Sequence, residues 1–455
     1  MRIRRLLVAN RGEIAVRIIG TCRHLGITTV LAASDVDLDS TAARLADEVV
    51  GLGPAPAVHS YLDVDAVIGA ARRAGVDALH PGYGFLSENA RLAEACDEAG
   101  VAFVGPTATH LRAVGDKLEA RRHALAAGVP LAAGGEVGAP EAAVALAEEV
   151  GWPVLVKAVG GGGGRGLRRV DRAGDVAAAV ERAMAEAEAA FGDGRVYLER
   201  FVTRGRHVEV QVLGDGEGDA VHLGTRDCSI QRRYQKLVEE APAPDLDDEV
   251  RAALHTAAVA LARRLSYRGA GTVEFLVDRD RGTFAFLEMN ARIQVEHPVT
   301  EQITGVDLVA AQLAIAEGGG LSFAQDDVVV DGHAIECRIN AEDATGDFRP
   351  SPGTVTRARF PVGDGIRVDT HVQRGTVVPP HYDSLLAKLI VWGADRPQAL
   401  DRLRGALDRC HVDGVDTNIA LHARLASDPD VRAGPVDTTF LPTLLDAEVV
   451  EAGHG

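Results

Sequence analysis

The sequence predicts a chain of mixed class, α/β at its start and α+β beyond. A doubly wound parallel α/β domain comes first, and a β-rich α+β domain closes the chain. Three observations predict this. Over the first hundred or so residues, apolar strand-like runs alternate with helix-like segments, the signature of a parallel sheet. From about Asp116 the pattern changes to paired strands joined by Gly/Asp turns, which are antiparallel hairpins. From about His333 the strands become short and closely spaced.

The elements follow in order. "IRRLLVAN" reads as a buried strand, "GEIAVRIIGTCRHLG" as a helix and "ITTVLAAS" as the next strand. "VDALHPG", "SENARLAEACDEAG" and "VAFVGP" repeat that unit. The first turn, "ANRGEI", lacks G-x-G-x-x-G, which argues against a dinucleotide site. "LEARRHALAAGVP" is helical. "WPVLVKAV" and "GLRRV" are strands on either side of a glycine run, followed by the helix "DVAAAVERAMAEAEAAFG" and the strand "RVYLERFV". "HVEVQVLGDGEGDAVHLGTRD" and "TVEFLVDRDRGTFAFLEMN" each predict a hairpin. "GTVTRARF", "IRVDTHV" and "LLAKLIVWG" are the strands of the last part.

The 455 residues suggest roughly three domains. Hydrophobic content of 46% and charged content of 25% are those of a globular protein with a real core. A formal net charge of −18 argues against nucleic-acid and anionic-membrane partners. Any anionic substrate then needs a local cluster of Lys and Arg. The five cysteines are isolated, with no C-x-x-C pair, so neither a zinc site nor a disulfide framework is indicated. The basic start lacks an apolar run of signal-peptide length, and no stretch approaches the ~18 apolar residues of a membrane helix. Reduced thiols in a cytoplasmic protein are the expectation.

Three groups carry chemistry. Gly160 to Gly164 follow Lys157 directly after an apolar strand. Backbone N–H groups in such a loop suit phosphate oxygens; a flexible linker is the alternative. The lysine precedes the glycines, so this is not a P-loop. Next, the second hairpin puts Glu274 and Glu288 on one face, offset by one side-chain pair. Like charges at that spacing call for a cation, and Mg²⁺ or Mn²⁺ on nucleotide phosphates takes such oxygen ligands. Asn290 is placed to add a third ligand; two acids facing solvent is the alternative. Finally, in "EMNARIQVEHPVTE" the residues Glu288, Asn290, Arg292, Gln294 and Glu296 occupy every second position. An extended chain would put all five on one face; an ordinary solvated strand face is the alternative. Lys117, Lys157, His207, Lys236 and Arg292 are basic groups scattered in the sequence; a surface charge is the alternative for each taken alone.

These residues carry a resemblance. The chain resembles biotin carboxylase, the ATP-grasp component of biotin-dependent carboxylases. The matching motifs are "VANRGEIAVRI", "HPGYGFLSENA", "GDK", "VKAVGGGGGRG", "RDCSIQRRYQK", "VEEAPAP", "GAGTVEF", "LEMNARIQVEHPVTE", "GHAIECRINAED" and "HYDSLLAKLI", collinear from about residue 5 to 420. "HPGYGFLSEN" and "MNARIQVEHPVTE" are the most specific, because a general ATP-grasp ligase would not keep them.

The resemblance implies an ATP-grasp fold with three parts: residues 1–113, residues 114–332 with a mobile lid at about 131–203, and residues 333–446. It implies that bicarbonate and ATP form carboxyphosphate and that biotin is carboxylated, releasing ADP and phosphate. This would be the first half-reaction of an acetyl-CoA or related acyl-CoA carboxylase. It assigns Lys117, Lys157, Gly163 and Gly164 to the phosphates of ATP, and Glu199, Arg200, Phe201 and Val202 to the adenine. His207, Gln231, Tyr234 and Leu276 complete the nucleotide site. Glu274, Glu288 and Asn290 would hold Mg²⁺ or Mn²⁺. Arg292, Gln294, the backbone at Val295 and Lys236 would hold bicarbonate, with Glu296 as general base. Arg338 would stabilise the enolate-like oxygen of biotin, with Tyr83 and Gly84 beside the ring.

Two positions depart from the family pattern. Tyr234 stands where His is frequent, so altered ribose or phosphate affinity is expected. Ala291 stands where Thr is common, with its side chain expected to face away from the site. The three methionines, Met1, Met184 and Met289, have no lysine neighbour, whereas biotinyl acceptor domains carry biotin on a lysine between two methionines. A separate biotin carrier protein and separate carboxyltransferase subunits are therefore the expected partners, and the resemblance implies a homodimer. Another ATP-grasp ligase joining a carboxylate to an amine is the competing reading.

Overall fold

The structure is a computed structural model that describes residues 2–160, 167–345 and 347–452. Five parallel strands form the N-terminal sheet in the spatial order Glu48–Gly53, Thr28–Ser34, Arg5–Val8, Ala78–His80, Ala102–Phe103. Successive side chains enter opposite cores: Leu6, Val8, Leu31 and Ala33 pack with Ile14 and Ile18 of the helix Gly12–Leu25. Leu7, Val30 and Leu79 pack with Val67 and Leu92 on the other side. Both faces are covered, so the strands read as continuous apolar runs. The doubly wound expectation holds.

The rest is built on one eight-stranded sheet. Its order is Thr283–Asn290, Arg268–Asp278, Gly205–Asp215, Ala220–Arg232, Gln235–Ala241, His333–Asn340, Leu385–Gly393, Ile366–Thr370. The sheet runs unbroken past residue 332, because Gln235–Ala241 pairs with His333–Asn340. One face is apolar: Val208, Val210, Val273 and Phe275 pack with Leu254, Ala258 and Leu261 of the helix Asp248–Arg264. The other face carries the polar side chains that form the site. A separate four-stranded antiparallel sheet holds Gly134–Val137, Val154–Ala158, Leu167–Val170 and Val196–Arg200, backed by the helices Pro140–Val150 and Ala173–Phe191.

Three expectations are corrected. Glu274 and Glu288 are direct cross-strand partners, not offset neighbours. The turn pairs Asp278 with Thr283, and a bulge between Glu274 and Phe275 adds a further residue to the register. The strand containing Glu288 ends at Asn290, and a helix starts at His297 with Glu296 at its N-cap position and Pro298 in its first turn. "GTVTRARF" is not one strand but two short ones, Gly353–Thr354 and Arg357–Arg359, paired with different partners.

Candidate active site

The site starts from a register. Arg226, Glu209, Glu274 and Glu288 lie opposite one another across four adjacent strands. Two residues along, Gln211, Thr272 and Asn290 form a second row on the same face. Three carboxylates in line repel each other unless cations intervene. Two intervene here. Arg226, fully buried, donates to Glu209, to Gln211 Oε1 at 2.8 Å, Thr300 Oγ1 at 3.0 Å, Thr272 Oγ1 at 3.1 Å and Gln294 Oε1 at 2.9 Å. Lys236 Nζ lies 2.6 Å from Glu209 Oε2, 3.0 Å from Glu274 Oε1 and 2.6 Å from Glu296 Oε1.

Glu296 is the junction. Its second oxygen accepts from Arg338 at 2.8 Å, and Arg338 Nε donates to Glu239 at 2.6 Å. Burial alone would raise the pKa of Glu296, but Lys236, Arg338 and Arg226 outweigh it and hold the carboxyl below the ordinary range. Glu274 is likewise driven down against burial by Lys236 and His207, whose Nε2 is 2.9 Å away. Glu274 Oε1 also accepts from Asn290 Nδ2 and Gln294 Nε2, both at 2.9 Å.

Arg292 is aimed by two neighbours. Its Nε donates to Glu88 at 2.9 Å, and its Nη2 to Asn290 Oδ1 at 3.0 Å. The Val295 carbonyl accepts from Lys388 Nζ at 3.0 Å, and Lys388 is itself fully buried against Glu13 at 3.0 Å. Beyond Asn290 the chain leaves the sheet, yet Ile293 stays in the core while Arg292, Gln294 and Glu296 face the cavity. Ala291 packs against the apolar core but also lines the cavity, so it does not face away from the site as expected.

The cavity holds about 540 Å³ and is lined by Lys117, His207, Tyr234, Lys236, Glu274, Glu288, Asn290, Arg292, Gln294, Val295, Glu296 and Arg338 among others. Asp116 caps the helix Lys117–Ala126 through the N–H groups of Leu118 and Glu119, which sets Lys117 3.6 Å from Glu288. Lys157 is buried against Glu199 at 2.5 Å, beside Tyr197, on the small sheet. Burial would lower its pKa, but Glu199 keeps it above the ordinary lysine value. Gly163 and Gly164 lie outside the described residues.

Lys157, Glu199, Arg200, Phe201, Val202, Gln231 and Leu276 do not line the cavity. Leu276 is the strand partner of His207, and Gln231 that of Lys236. Tyr83 and Gly84 also stand outside its lining, at the carboxyl end of Ala78–His80. That is where the strand order reverses, the usual ligand crevice of a doubly wound sheet. Asn10 Nδ2 clamps this loop through the carbonyls of Pro81 and Tyr83, both at 2.7 Å. A Cβ at Gly82 would lie 2.9 Å from that amide.

Oxygen donors from Glu274, Glu288 and Asn290, with the third carboxylate Glu209 in the same row, are the donor set of a hard divalent cation. These residues fit Mg²⁺ or Mn²⁺.

Residues 2–111 match the model of the biotin carboxylase N-terminal domain and residues 336–443 that of its C-terminal domain. Residues 116–324 match the carbamoyl-phosphate synthase L chain ATP-binding domain. A biotin carboxylase of Pseudomonas aeruginosa is 51% identical over 96% of this chain and 98% of its own length. The chain belongs to the biotin carboxylase family. A biotin carboxylase of a Nostoc species is 49% identical over 97% of this chain and 99% of its own. Among solved structures, a Campylobacter jejuni biotin carboxylase in a β,γ-ATP complex superposes with a TM-score of 0.94 at 42% identity, covering 97% of this chain and 99% of that one. The biotin carboxylase domain dimer of Hydrogenobacter thermophilus 2-oxoglutarate carboxylase, with MgADP, ADP and bicarbonate, gives 0.93 at 44% identity, covering 97% and 98%. The fold is therefore ATP-grasp, and the enzyme is an ATP-dependent biotin carboxylase, a ligase that forms a carbon–nitrogen bond.

Sequence reading missed Glu209, Arg226, Glu239, Glu88 and Lys388. Glu209 and Lys388 had a signal: each is a charge inside an otherwise apolar strand, "HVEVQV" and "LLAKLIVWG".

Proposed function

We propose that this cavity carboxylates biotin through carboxyphosphate, with Glu296 as the base that deprotonates bicarbonate. The observation that carries the reading is the convergence of Lys236 and Arg338 on the two oxygens of Glu296. Glu296 is ionised at neutral pH and so able to accept a proton. Bicarbonate entering beside Lys236 and Arg292 competes for the same positive charge. Its own acidity rises as Glu296 loses part of its stabilisation, which narrows the gap between donor and acceptor. Arg292, Gln294 and the Val295 backbone orient the anion; Arg338 meets the biotin oxygen as negative charge develops there. Tyr83 and Gly84 flank the ring.

Lys117, Lys157, Gly163 and Gly164 hold the phosphates; Glu199 to Val202, His207, Gln231, Tyr234 and Leu276 hold the nucleoside. Glu274, Glu288 and Asn290 hold the divalent cation, which neutralises phosphate charge during phosphoryl transfer. We further propose the three-part division at residues 113 and 332, with residues 131–203 as a lid. Among the described residues no strand of the small sheet pairs with the large one; Leu131, ahead of the small sheet, forms an isolated bridge to Phe286.

Biotin is presented on a carrier protein, and carboxyltransferase subunits take the carboxyl onward to an acyl-CoA acceptor such as acetyl-CoA. The working unit is a homodimer in the cytoplasm. The dimer of the Hydrogenobacter relative supports the assembly, and no helix among the described residues is long and apolar enough to cross a membrane. The test is biotin KM in Arg338→Ala: a large rise in biotin KM with ATP affinity kept supports the assignment, and equal loss of both contradicts it.

A further inference from the structure

Glu239 and Glu336 face each other across the ladder joining Gln235–Ala241 to His333–Asn340. Both are fully buried. Residues so paired have Cβ atoms about 5 Å apart, where two like charges are destabilising. Glu239 Oε1 accepts from Arg338 Nε at 2.6 Å. Among the described residues, Glu239 Oε2 and both oxygens of Glu336 have no hydrogen-bond partner. Three orphan acceptors in a buried site carry a large desolvation cost unless a donor is present. A proton on one carboxyl supplies that donor.

We propose that Glu239 and Glu336 form a buried acid pair holding one proton at neutral pH, and that Glu239, so charged, is the positioning residue that aims Arg338 at biotin. Glu336 carries the proton, because Arg338 favours the ionised form of Glu239. The arrangement is that of two carboxyls sharing a site, where one pKa is strongly raised. Burial drives both upward: Arg338 draws Glu239 back to about 7, while Glu336 stays well above the carboxylate range. The other charged groups facing the pair are Lys236, Lys388 and Glu296. The thiols of Cys228 and Cys337 lie close by and are kept neutral, their pKa values pushed well up by burial.

The pair lies behind the base. When it takes a second proton, Arg338 loses its partner at Nε and keeps only Glu296, so its guanidinium turns from the orientation that meets biotin. The proton comes from solvent and returns to it, with no other bond made or broken. This role for Glu239 rests on Arg338 contacting biotin; the shared proton does not.

Two measurements test it. Infrared spectra of the whole protein at neutral pH are expected to show a buried protonated-carboxyl band that Glu336→Gln removes. Biotin KM is expected to rise in the wild type as pH falls below about 7 and to be raised about tenfold and nearly pH-independent in Glu239→Gln, the loss of one charged hydrogen bond. Glu336→Gln keeps a neutral side chain of the same shape and serves as the folded control. A band that survives Glu336→Gln overturns the shared proton. A Glu239→Gln enzyme whose biotin KM follows the wild-type pH profile overturns the positioning role. If Arg338→Ala leaves biotin KM unchanged, the fault lies in the Arg338 assignment, and the infrared result still judges the pair.

Discussion

Glu296 Oε1 lies 2.6 Å from Lys236 Nζ, and both side chains are nearly closed off from solvent, at 2% and 11% exposure. A buried contact of this kind fixes the base in place and keeps it ionised. Glu296→Gln removes the proton acceptor while keeping the shape. Biotin-dependent ADP formation is expected to fall about 10²- to 10⁴-fold, the usual contribution of a general base. Equilibrium dialysis of ATP is expected to give wild-type affinity.

Arg226 is fully buried and serves five partners. Arg226→Met would leave Glu209 beside Lys236 alone and strand the acceptors of Gln211 and Gln294. A loss of roughly 3–5 kcal/mol is expected, as for breaking a buried ion pair from one side. Denaturant titration measures it directly.

Much of this frame was legible in the sequence, for definite reasons. The parallel sheet is built from local units, and its apolar strands announce burial on both faces. The alternation put Ile293 in the core between cavity-facing Arg292, Gln294 and Glu296, but Met289 and Ala291 border the cavity as well as the core. The end of the strand at Asn290 was missed, although Pro298 signals a helix start nearby. The row Arg226–Glu209–Glu274–Glu288 was illegible, because it depends on a bulge and on strands far apart in the chain. The same holds for Glu239 and Glu336, which lie 97 positions apart in the chain and meet through a strand pairing that no periodicity reports.

Glu240 gives a pH signature. Burial would raise its pKa, but hydrogen bonding to His333 and the Arg396 guanidinium bring it down to about 2, from 4.5. A depressed folded pKa contributes stability that is present above the unfolded value and lost as pH falls toward the folded one. Glu240→Gln is expected to cost about 3 kcal/mol at pH 7 on this linkage. The deficit shrinks as pH drops from about 4.5 to 2. Urea unfolding at neutral and at acid pH reads both ends.

Arg233 and Tyr234 form the two-residue turn between Arg232 and Gln235, with φ of 48° and 68°. Both lie in the left-handed region that a type I′ hairpin turn requires and that Asn-Gly usually fills. Tyr234→Gly is expected to stabilise the fold by about 1 kcal/mol. Because Tyr234 lines the cavity, KM for ATP is expected to rise in the same variant. Denaturation and ATP titration separate the two effects.

The most direct test of the account is ADP release by the purified protein with Mg²⁺ and bicarbonate, with and without free biotin, in the wild type and in Glu296→Ala. The account predicts strong stimulation by biotin that the substitution abolishes. Stimulation by biotin that persists in Glu296→Ala would contradict the role given to this base.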